Sequence, residues 1–220
     1  MKLEATSNSF EQKEEIIKGS TVRKNEKKFF YKFSRRALDI ITASLGILLS
    51  LPIIIIFALI IRLETPGNPI FIQERVGLNG KTFYIYKLRS MFVNAEKNGA
   101  KWAEKNDIRV TKVGRFIRKT RIDELPQLFN VLKGDMSLIG PRPERYIFTE
   151  QFEKEIPGFK NRLHVRPGVT GWAQVNGGYD ITPKEKLELD LQYIERQSFK
   201  FDFVILVKTV KICITGTGSR

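Results

Sequence analysis

The chain has 220 residues, a formal net charge of +14 and 42% hydrophobic residues. This length suits one catalytic domain with appended segments, and the apolar content excludes a disordered chain. A single cysteine, Cys213, and a single histidine, His164, exclude an intrachain disulfide and a multi-histidine metal site. The positive charge predicts a polyanionic partner: a nucleic acid, an anionic membrane surface or a phosphorylated substrate.

The first predicted region, residues 1–34, is polar and contains a cluster of Lys and Arg. The apolar run that follows starts too late for a secretory signal and has no small-residue cleavage site after it. We therefore interpret residues 1–34 as a basic, loosely ordered cytosolic arm.

The second region, residues 35–63, is apolar and long enough to span a bilayer as a helix. Pro52 removes a backbone hydrogen bond inside this segment, and Lys and Arg flank both of its ends. Positive residues favour the cytoplasmic side of a membrane, so two basic ends indicate a segment that enters and returns, broken at Pro52. A single tilted span is the alternative interpretation.

Residues 64–220 are predicted to form a catalytic domain of the α+β class, mainly helical. Two short strands, 69–73 and 81–87, flank the turn sequence Leu78-Asn79-Gly80, which indicates a β-hairpin. Helices are predicted over 95–105, over 114–133 with an interruption near Pro126, and over 150–155, 183–197 and 203–214. The last of these suits the membrane interface or the protein core equally well.

The densest group of candidate functional residues is the segment 118–126, where Asp123 and Glu124 follow Arg118, Lys119 and Arg121. We expect these cations to hold Asp123 ionised, as a nucleophile or a Mg²⁺ ligand requires. Pro126 suggests that a helix begins here, and free N–H groups at its start would favour a phosphate. The alternative is an ordinary first helical turn with surface ion pairs.

A second candidate is the Gly- and Pro-rich loop 134–144, in which Pro141 and Pro143 flank Arg142. The prolines stiffen the backbone, so the planar guanidinium would be aimed in advance at a phosphate. Lys87 and Arg89 add cations at the end of the hairpin. For each of these residues the alternative is an exposed side chain on a structural turn.

In this combination and order, the motifs resemble those of the bacterial sugar transferases, also called monotopic phosphoglycosyl transferases. The similarity runs from about residue 33 to about residue 214. It consists of a basic segment followed by Asp39, the Pro-containing apolar segment, Glu74-Arg75-Val76-Gly77, Tyr86-Lys87-Leu88-Arg89-Ser90-Met91, Asp123-Glu124-Leu125-Pro126-Gln127-Leu128 and Gly140-Pro141-Arg142-Pro143.

The resemblance implies that Asp123 is the nucleophile, that Glu124 is its partner carboxylate and that Mg²⁺ binds near the pair. It also implies a phosphate pocket containing Arg118 and Arg142, to which we add Lys87 and Arg89. The membrane helix would be re-entrant, with both ends cytosolic. Family members often carry Ser directly before the helix-breaking proline, whereas this chain has Leu51 there and Ser50 one position earlier.

The expected reaction transfers sugar-1-phosphate from a UDP-sugar to undecaprenyl phosphate or another polyprenyl phosphate, through an aspartyl phosphosugar, with release of UMP. Such an enzyme would sit in the bacterial inner membrane, in contact with lipid and with its catalytic domain on the cytosolic face. The alternative function is a non-catalytic, membrane-anchored basic partner that binds anionic lipid. No nucleic-acid partner is expected, because no recognition motif appears and the apolar run would have no role. Homo-oligomerisation, the sugar and the pathway stay open.

Overall fold

The computed structural model describes residues 2–97, 99, 107–177 and 181–215, with side chains from residue 30 onward, Ile214 excepted. The chain divides into two compact units, Met1–Leu38 and Asp39–Arg220. The first unit belongs to helix α1, Lys2–Glu64, which therefore includes the segment predicted as a loosely ordered arm. The second unit contains the end of α1 and all the other elements. Most of the described elements are helices and the strands form only small sheets, which confirms the predicted α+β, mainly helical class.

From Asp39 onward, one side of α1 is packed and the other is apolar and exposed. The buried residues recur at helical spacing, namely Asp39, Ala43, Ser50, Ile54 and Ile61. Between them the exposed residues include Leu45, Leu48, Leu49, Ile53, Ile56 and Leu59. Residues Phe30–Glu64 are long and apolar enough to cross a membrane, by length and composition, and only 17% of their most apolar window is buried.

Helix α1 continues through Pro52 to Glu64, so no non-helical residue interrupts it there; the bend expected at Pro52 and the re-entrant path stay predictions. A proline costs one backbone hydrogen bond, but tertiary packing supplies most of the stability of a protein helix. The packed side of α1 has buried residues both before and after Pro52, with Ala43 and Ile54 in separate apolar clusters. Contacts on both sides therefore hold the helix together across the missing bond.

The predicted hairpin is confirmed. Strands β1 (Ile70–Val76) and β2 (Thr82–Leu88) pair antiparallel around a 3₁₀ turn at Leu78–Gly80. Asn79 and Gly80 adopt left-handed backbone conformations, with φ of 54° and 79°, which these residue types tolerate best. The hairpin places its inner residues, including Phe83 and Ile85, against Ala43 of α1 and Val131.

The predicted helical segment with an interruption near Pro126 is also confirmed. It consists of α2 (Lys112–Lys119), a 3₁₀ turn (Ile122–Glu124) and α3 (Gln127–Lys133). Arg121 has a φ of 60° and breaks the helical path between α2 and the turn. Most of the helix predicted over 95–105 lies outside the described residues, and residues 93–97 form turns.

A short parallel ladder joins two loops that the sequence did not mark as strands. Strand β3 (Ser137–Ile139) pairs with β4 (Gly168–Thr170), with Ser137 opposite Gly168. A Cβ atom on Gly168 would lie 2.0 Å from the backbone nitrogen of Gly140, so only glycine permits this approach. The ladder brings the Pro-rich loop around Arg142 beside residues far away in sequence.

The remaining helices complete the unit, and the last of them packs against both strands of this ladder. They are α4 (Tyr146–Glu155), a 3₁₀ helix (Phe159–His164), α5 (Trp172–Gly177), α6 (Pro183–Glu195) and α7 (Phe199–Thr215). Thr182 and Glu185 form a capping box at the start of α6. Helix α7 was predicted to suit either the protein core or the membrane interface. Ile205 is buried against Ile139, as a core helix requires, whereas Phe203 and Val207 are exposed, as an interfacial helix requires.

Candidate active site

Asp123 and Glu124 lie in the 3₁₀ turn between α2 and α3, at the wall of a cavity of about 560 Å³. Both residues are buried, although the segment is short and highly charged. The left-handed Arg121 before them turns the chain out of α2 and toward the hairpin. The cavity is lined by all six predicted site residues, namely Lys87, Arg89, Arg118, Asp123, Glu124 and Arg142.

Glu124 is the carboxylate that the cations contact directly. Its Oε1 accepts hydrogen bonds from Arg142 Nη2 at 2.6 Å and from Lys87 Nζ at 3.0 Å, and Arg121 Nη1 lies 4.0 Å from Oε2. Burial by itself would raise the pKa of Glu124, but the charges of Arg142 and then Lys87, with the Arg142 hydrogen bond and Arg121, hold it well below its usual value. Glu124 is therefore a permanently ionised anchor for Lys87 and Arg142.

Asp123 differs from Glu124 in its contacts and in the direction of its pKa shift. Within the part of the chain that the structure describes, no donor lies at hydrogen-bonding distance from its carboxylate. Burial, and then the negative charge of Glu124, raise the pKa of Asp123 to about 6, against the opposing charges of Lys87, Arg118 and Arg142. The charges of Lys87, Arg118 and Arg142 lower this pKa, but burial and Glu124 outweigh them. With a pKa of about 6 the carboxylate is mostly ionised at neutral pH, and the role of Asp123 as nucleophile or Mg²⁺ ligand stays a prediction.

Two of the predicted phosphate-binding residues, Arg118 and Arg89, do not contact Glu124 and bind other partners instead. Arg118 Nε donates to Ser90 Oγ at 2.7 Å, which keeps its guanidinium at the cavity wall near Asp123. Arg89 instead donates through Nη2 to Thr65 O at 2.8 Å and to Thr65 Oγ1 at 2.9 Å. The Arg89 side chain therefore ties the hairpin to the end of α1, and its predicted contact with a phosphate stays a prediction.

A second charged group lines the same cavity and was not singled out as a site from the sequence. Glu144 accepts a hydrogen bond from Lys186 Nζ, and Arg75 Nη1 lies 3.9 Å from the other carboxylate oxygen. All three residues face the cavity. Glu74-Arg75-Val76-Gly77 was already visible as a motif, but nothing local connects Arg75 with α6, on which Lys186 lies.

These features, an apolar helix packed beside a cation-lined cavity with two buried carboxylates, define the class that the motifs suggested. The chain belongs to the bacterial sugar transferase family, whose model matches residues 30–216. It is 50% identical over 193 residues to the UDP-N-acetylgalactosamine-undecaprenyl-phosphate N-acetylgalactosaminephosphotransferase of Aeromonas hydrophila, covering 86% of this chain and 46% of that protein.

Two further relatives extend the comparison. A Bacillus subtilis protein, provisionally named as an undecaprenyl-phosphate N-acetylgalactosaminyl 1-phosphate transferase, is 61% identical over 139 residues, which are 63% of this chain and 78% of that protein. The UDP-glucose:undecaprenyl-phosphate glucose-1-phosphate transferase of Escherichia coli is 44% identical over 181 residues, 80% of this chain and 39% of that protein. The chain thus spans less than half the length of the first and third of these relatives.

Phosphoglycosyl transferases generally use a divalent metal ion. Among the described residues, no group of three or more His, Cys, Asp or Glu side chains could hold one by itself. Glu124 Oε1 is already occupied by Lys87 and Arg142, whereas the buried Asp123 carboxylate accepts no hydrogen bond from any residue that the structure describes. This donor set fits an ion such as Mg²⁺, which is commonly held by one or two carboxylates together with substrate phosphates and water.

Proposed function

We propose that this chain transfers sugar-1-phosphate from a UDP-sugar to undecaprenyl phosphate or a related polyprenyl phosphate, and that UMP is released. The observation that carries the proposal is the unequal pair of carboxylates in the cavity. Glu124 is saturated by Arg142 and Lys87, while Asp123, its sequence neighbour, is left without a direct cationic partner in the described residues. The named activities of the relatives support the same reaction.

In the proposed first step, an Asp123 carboxylate oxygen forms a bond to the sugar-bearing phosphorus of the UDP-sugar. The bond from that phosphorus to the bridging oxygen breaks, and UMP leaves with the electron pair. In the second step, a phosphate oxygen of the polyprenyl phosphate attacks the same phosphorus, and the acyl-phosphate bond to Asp123 breaks. The free carboxylate returns, so neither transfer requires a net proton change on the protein.

The cations at the cavity wall suit this chemistry. Phosphoryl transfer depends mainly on positioning and on neutralising charge that spreads over the phosphate oxygens. Lys87 and Arg142 are already fixed on Glu124, and Arg118 is fixed on Ser90. We assign Lys87, Arg118 and Arg142 to the substrate phosphates. Arg89 also lines the cavity, and we assign it to the phosphates as well, although its guanidinium binds Thr65 in this structure.

A divalent ion, with Mg²⁺ as the proposed identity, would be held by Asp123 and the diphosphate, with Glu124 able to contribute Oε2 because Lys87 and Arg142 contact its Oε1. When bound, such an ion supplies additional charge neutralisation at the phosphates. Removal of the ion by a chelator should therefore lower the rate, and titration with Mg²⁺ or Mn²⁺ shows which ion restores it.

The membrane arrangement is part of the proposal. Residues 35–63 would be the membrane segment, residues 1–34 the cytosolic arm and residues 64–220 the catalytic domain on the cytosolic face of the bacterial inner membrane. The exposed apolar side of α1 from Leu45 to Leu59 supports contact with lipid. Because buried residues of α1 from Asp39 to Ile61 belong to the same packed unit as the cavity, the segment would keep the dyad near the lipid surface.

Topology is tested with cysteine labels. After Cys213 is replaced by Ser, single cysteines near residue 25 and near residue 100 are reacted with an impermeant reagent in oriented vesicles. A re-entrant segment predicts labelling from the same side, whereas labelling from opposite sides means a true span. Pro52→Leu restores the missing backbone hydrogen bond and should shift the segment toward spanning.

The reaction is tested with the full chain and radiolabelled UDP-sugars, beginning with UDP-N-acetylgalactosamine, the donor named for a 50% identical relative. UDP-glucose and UDP-galactose follow. Without lipid, the protein should release one UMP per active site in a burst and retain sugar phosphate. Trypsin cleavage after Arg121 and Lys133 should place the label on peptide 122–133, and steady-state kinetics should be ping-pong.

Two outcomes would contradict parts of this proposal. Turnover that needs both substrates bound together, with no adduct, would replace the covalent route by direct transfer. An absence of turnover with every UDP-sugar, together with binding to anionic vesicles, would support a non-catalytic membrane-anchored partner.

A further inference from the structure

The loop that carries Arg142 is held at four successive backbone carbonyls. Gly168 N donates to Pro141 O at 3.0 Å, and Val76 N donates to Glu144 O at 2.9 Å. Between these backbone contacts, two arginine side chains reach the carbonyls of Arg142 and Pro143. Because Pro141 and Pro143 have no N–H to donate, the carbonyls are the groups through which backbone and arginine donors hold this stretch.

One of these two side chains, Arg162, is almost completely buried and is itself held by a single carboxylate. Arg162 Nε and Nη2 donate to Asp190 Oδ2 at 2.9 and 2.6 Å, and Nη2 also donates to Arg142 O at 2.8 Å. The side chains of Arg162 and Asp190 are 2% and 1% exposed. Asp190 lies on α6, and Arg162 lies on the 3₁₀ helix 159–164.

Buried charge pairs are costly to place in a protein core, and well-packed apolar residues often stabilise as well or better. The Arg162–Asp190 pair is absent from the cavity lining, so it has no direct access to a substrate there. Its third hydrogen bond, to the carbonyl of Arg142, is the contact that an apolar pair would not reproduce. On the far side of that residue, the Arg142 guanidinium contacts Glu124 at 2.6 Å.

We propose that Arg162, held by Asp190, is a positioning residue that fixes the backbone of Arg142 and thereby aims its guanidinium at Glu124 and the reacting phosphate. The part that concerns the phosphate rests on the proposed function; the part that concerns the orientation of Arg142 does not. Asp190 orients Arg162 through the two hydrogen bonds that it accepts. A guanidinium displaced by about 1 Å can cost ~100-fold in rate, which is the scale of effect that such a support protects.

The test replaces the whole pair, because removal of one partner would leave an unpaired buried charge and endanger folding. The double variant Arg162→Met/Asp190→Leu should fold, and its burst rate of UMP release should fall by ~10–100-fold. In an Arg142→Lys background, the same double change should lower the rate by less than about threefold, because the residue being positioned is already altered. The matched control is Tyr193→Phe, which removes a buried hydrogen bond of α6 to Asp202 and should leave the burst rate unchanged.

A second measurement needs no turnover. In wild-type protein, ¹⁵N NMR should resolve separate Nη signals for Arg142, because its guanidinium is held against rotation; in the double variant these signals should merge. A folded double variant with wild-type rate and separate Nη signals would overturn the inference, as would rate losses that multiply in the Arg142→Lys background. If wild-type protein shows no UMP release at all, the proposed function fails, while the NMR comparison still decides the orientation of Arg142.

Discussion

The cavity contains two buried carboxylate clusters, and they differ in how the negative charge is compensated. In one cluster, Glu144 is paired with Lys186 and lies near Arg75. Burial alone would raise the pKa of Glu144, but the charges of Lys186, Arg162 and Arg75 and the Lys186 hydrogen bond lower it to about 2. In the other cluster, Asp123 is as deeply buried but has a pKa raised to about 6.

The comparison shows that a count of nearby cations does not identify a reactive carboxylate. Both clusters are basic, yet Glu144 and Glu124 hold the direct contacts, and only Asp123 has none among the described residues. A paired carboxylate is stabilised and poorly nucleophilic, whereas a buried carboxylate without a partner is destabilised in its charged form. The second kind is the one that gains by forming a bond to phosphorus.

Asp123→Asn should have the largest effect. It keeps the shape of the side chain and removes the nucleophile, so turnover and the UMP burst should fall by more than ~10⁴-fold. The same change removes a buried charge and should stabilise the fold by about 1–3 kcal/mol at pH 7. Chemical denaturation beside the burst assay checks both; a destabilised, inactive variant would place Asp123 among the structural residues.

Glu124→Gln should lower the burst rate by ~10²–10³-fold, because Lys87 and Arg142 lose their shared anchor. Those cations are then free to pair with Asp123, and the negative charge that helps to raise its pKa is gone. The pH dependence of the residual burst should therefore move to lower pH. An unchanged pH profile with full activity would show that Glu124 does not set the state of Asp123.

Glu144→Gln should act mainly on stability. It leaves Lys186 and Arg75 without their buried partner, and the loss of one member of such a pair costs about 3–5 kcal/mol. The burst rate per folded molecule should change by less than ~10-fold, since Glu144 is not the group that forms the covalent bond. A stable Glu144→Gln protein without a burst would instead assign this cluster to the chemistry.

Arg142→Lys should reduce the burst rate by about tenfold, because Lys keeps the charge but loses the planar fork. Arg166→Lys is the matched control: Arg166 donates only to the carbonyl of Gly134 in the described contacts, outside the cavity. The control should keep wild-type kinetics. Equal rates for both variants would leave Arg142 as a residue of a turn.

The last prediction is the pH dependence of the burst rate that Asp123 sets. The nucleophile must be ionised, so the burst rate should rise about tenfold per pH unit below a pKa of about 6 and level off above it. Because the folded pKa is raised, the stability that Asp123 contributes is present below its ordinary value of 3.8 and is lost as pH rises through about 6.

For Glu144 the dependence has the opposite sign. Its folded pKa is lowered to about 2, so its contribution is present above 4.5 and is lost as pH falls toward 2. Denaturation curves of wild type, Asp123→Asn and Glu144→Gln between pH 3 and 8 separate the two contributions. The gap between Asp123→Asn and wild type should widen as pH rises from 4 to 7, and the gap for Glu144→Gln should narrow as pH falls below 4.

Several features of the fold followed from short stretches of sequence. The left-handed turn at Asn79 and Gly80, the interruption of the helix near Pro126 and the start of α6 at Pro183 are all local. Turn and cap residues act through their own backbone angles and hydrogen bonds within a few positions, so the sequence alone carries this information. The dyad and Arg142 were also visible, because their motifs are contiguous.

Tertiary structure decided the features that depend on partners far apart in the chain. The parallel pairing of β3 with β4, the attachment of Arg89 to Thr65 and the continuation of α1 through Pro52 all rest on such contacts. Above all, the sequence placed Asp123 among the cations of its own segment, whereas folding brought Lys87 and Arg142 to Glu124 and left Asp123 without a direct cationic contact in the described residues. Charge compensation depends on distance and solvent exposure, which are set only when distant segments pack together.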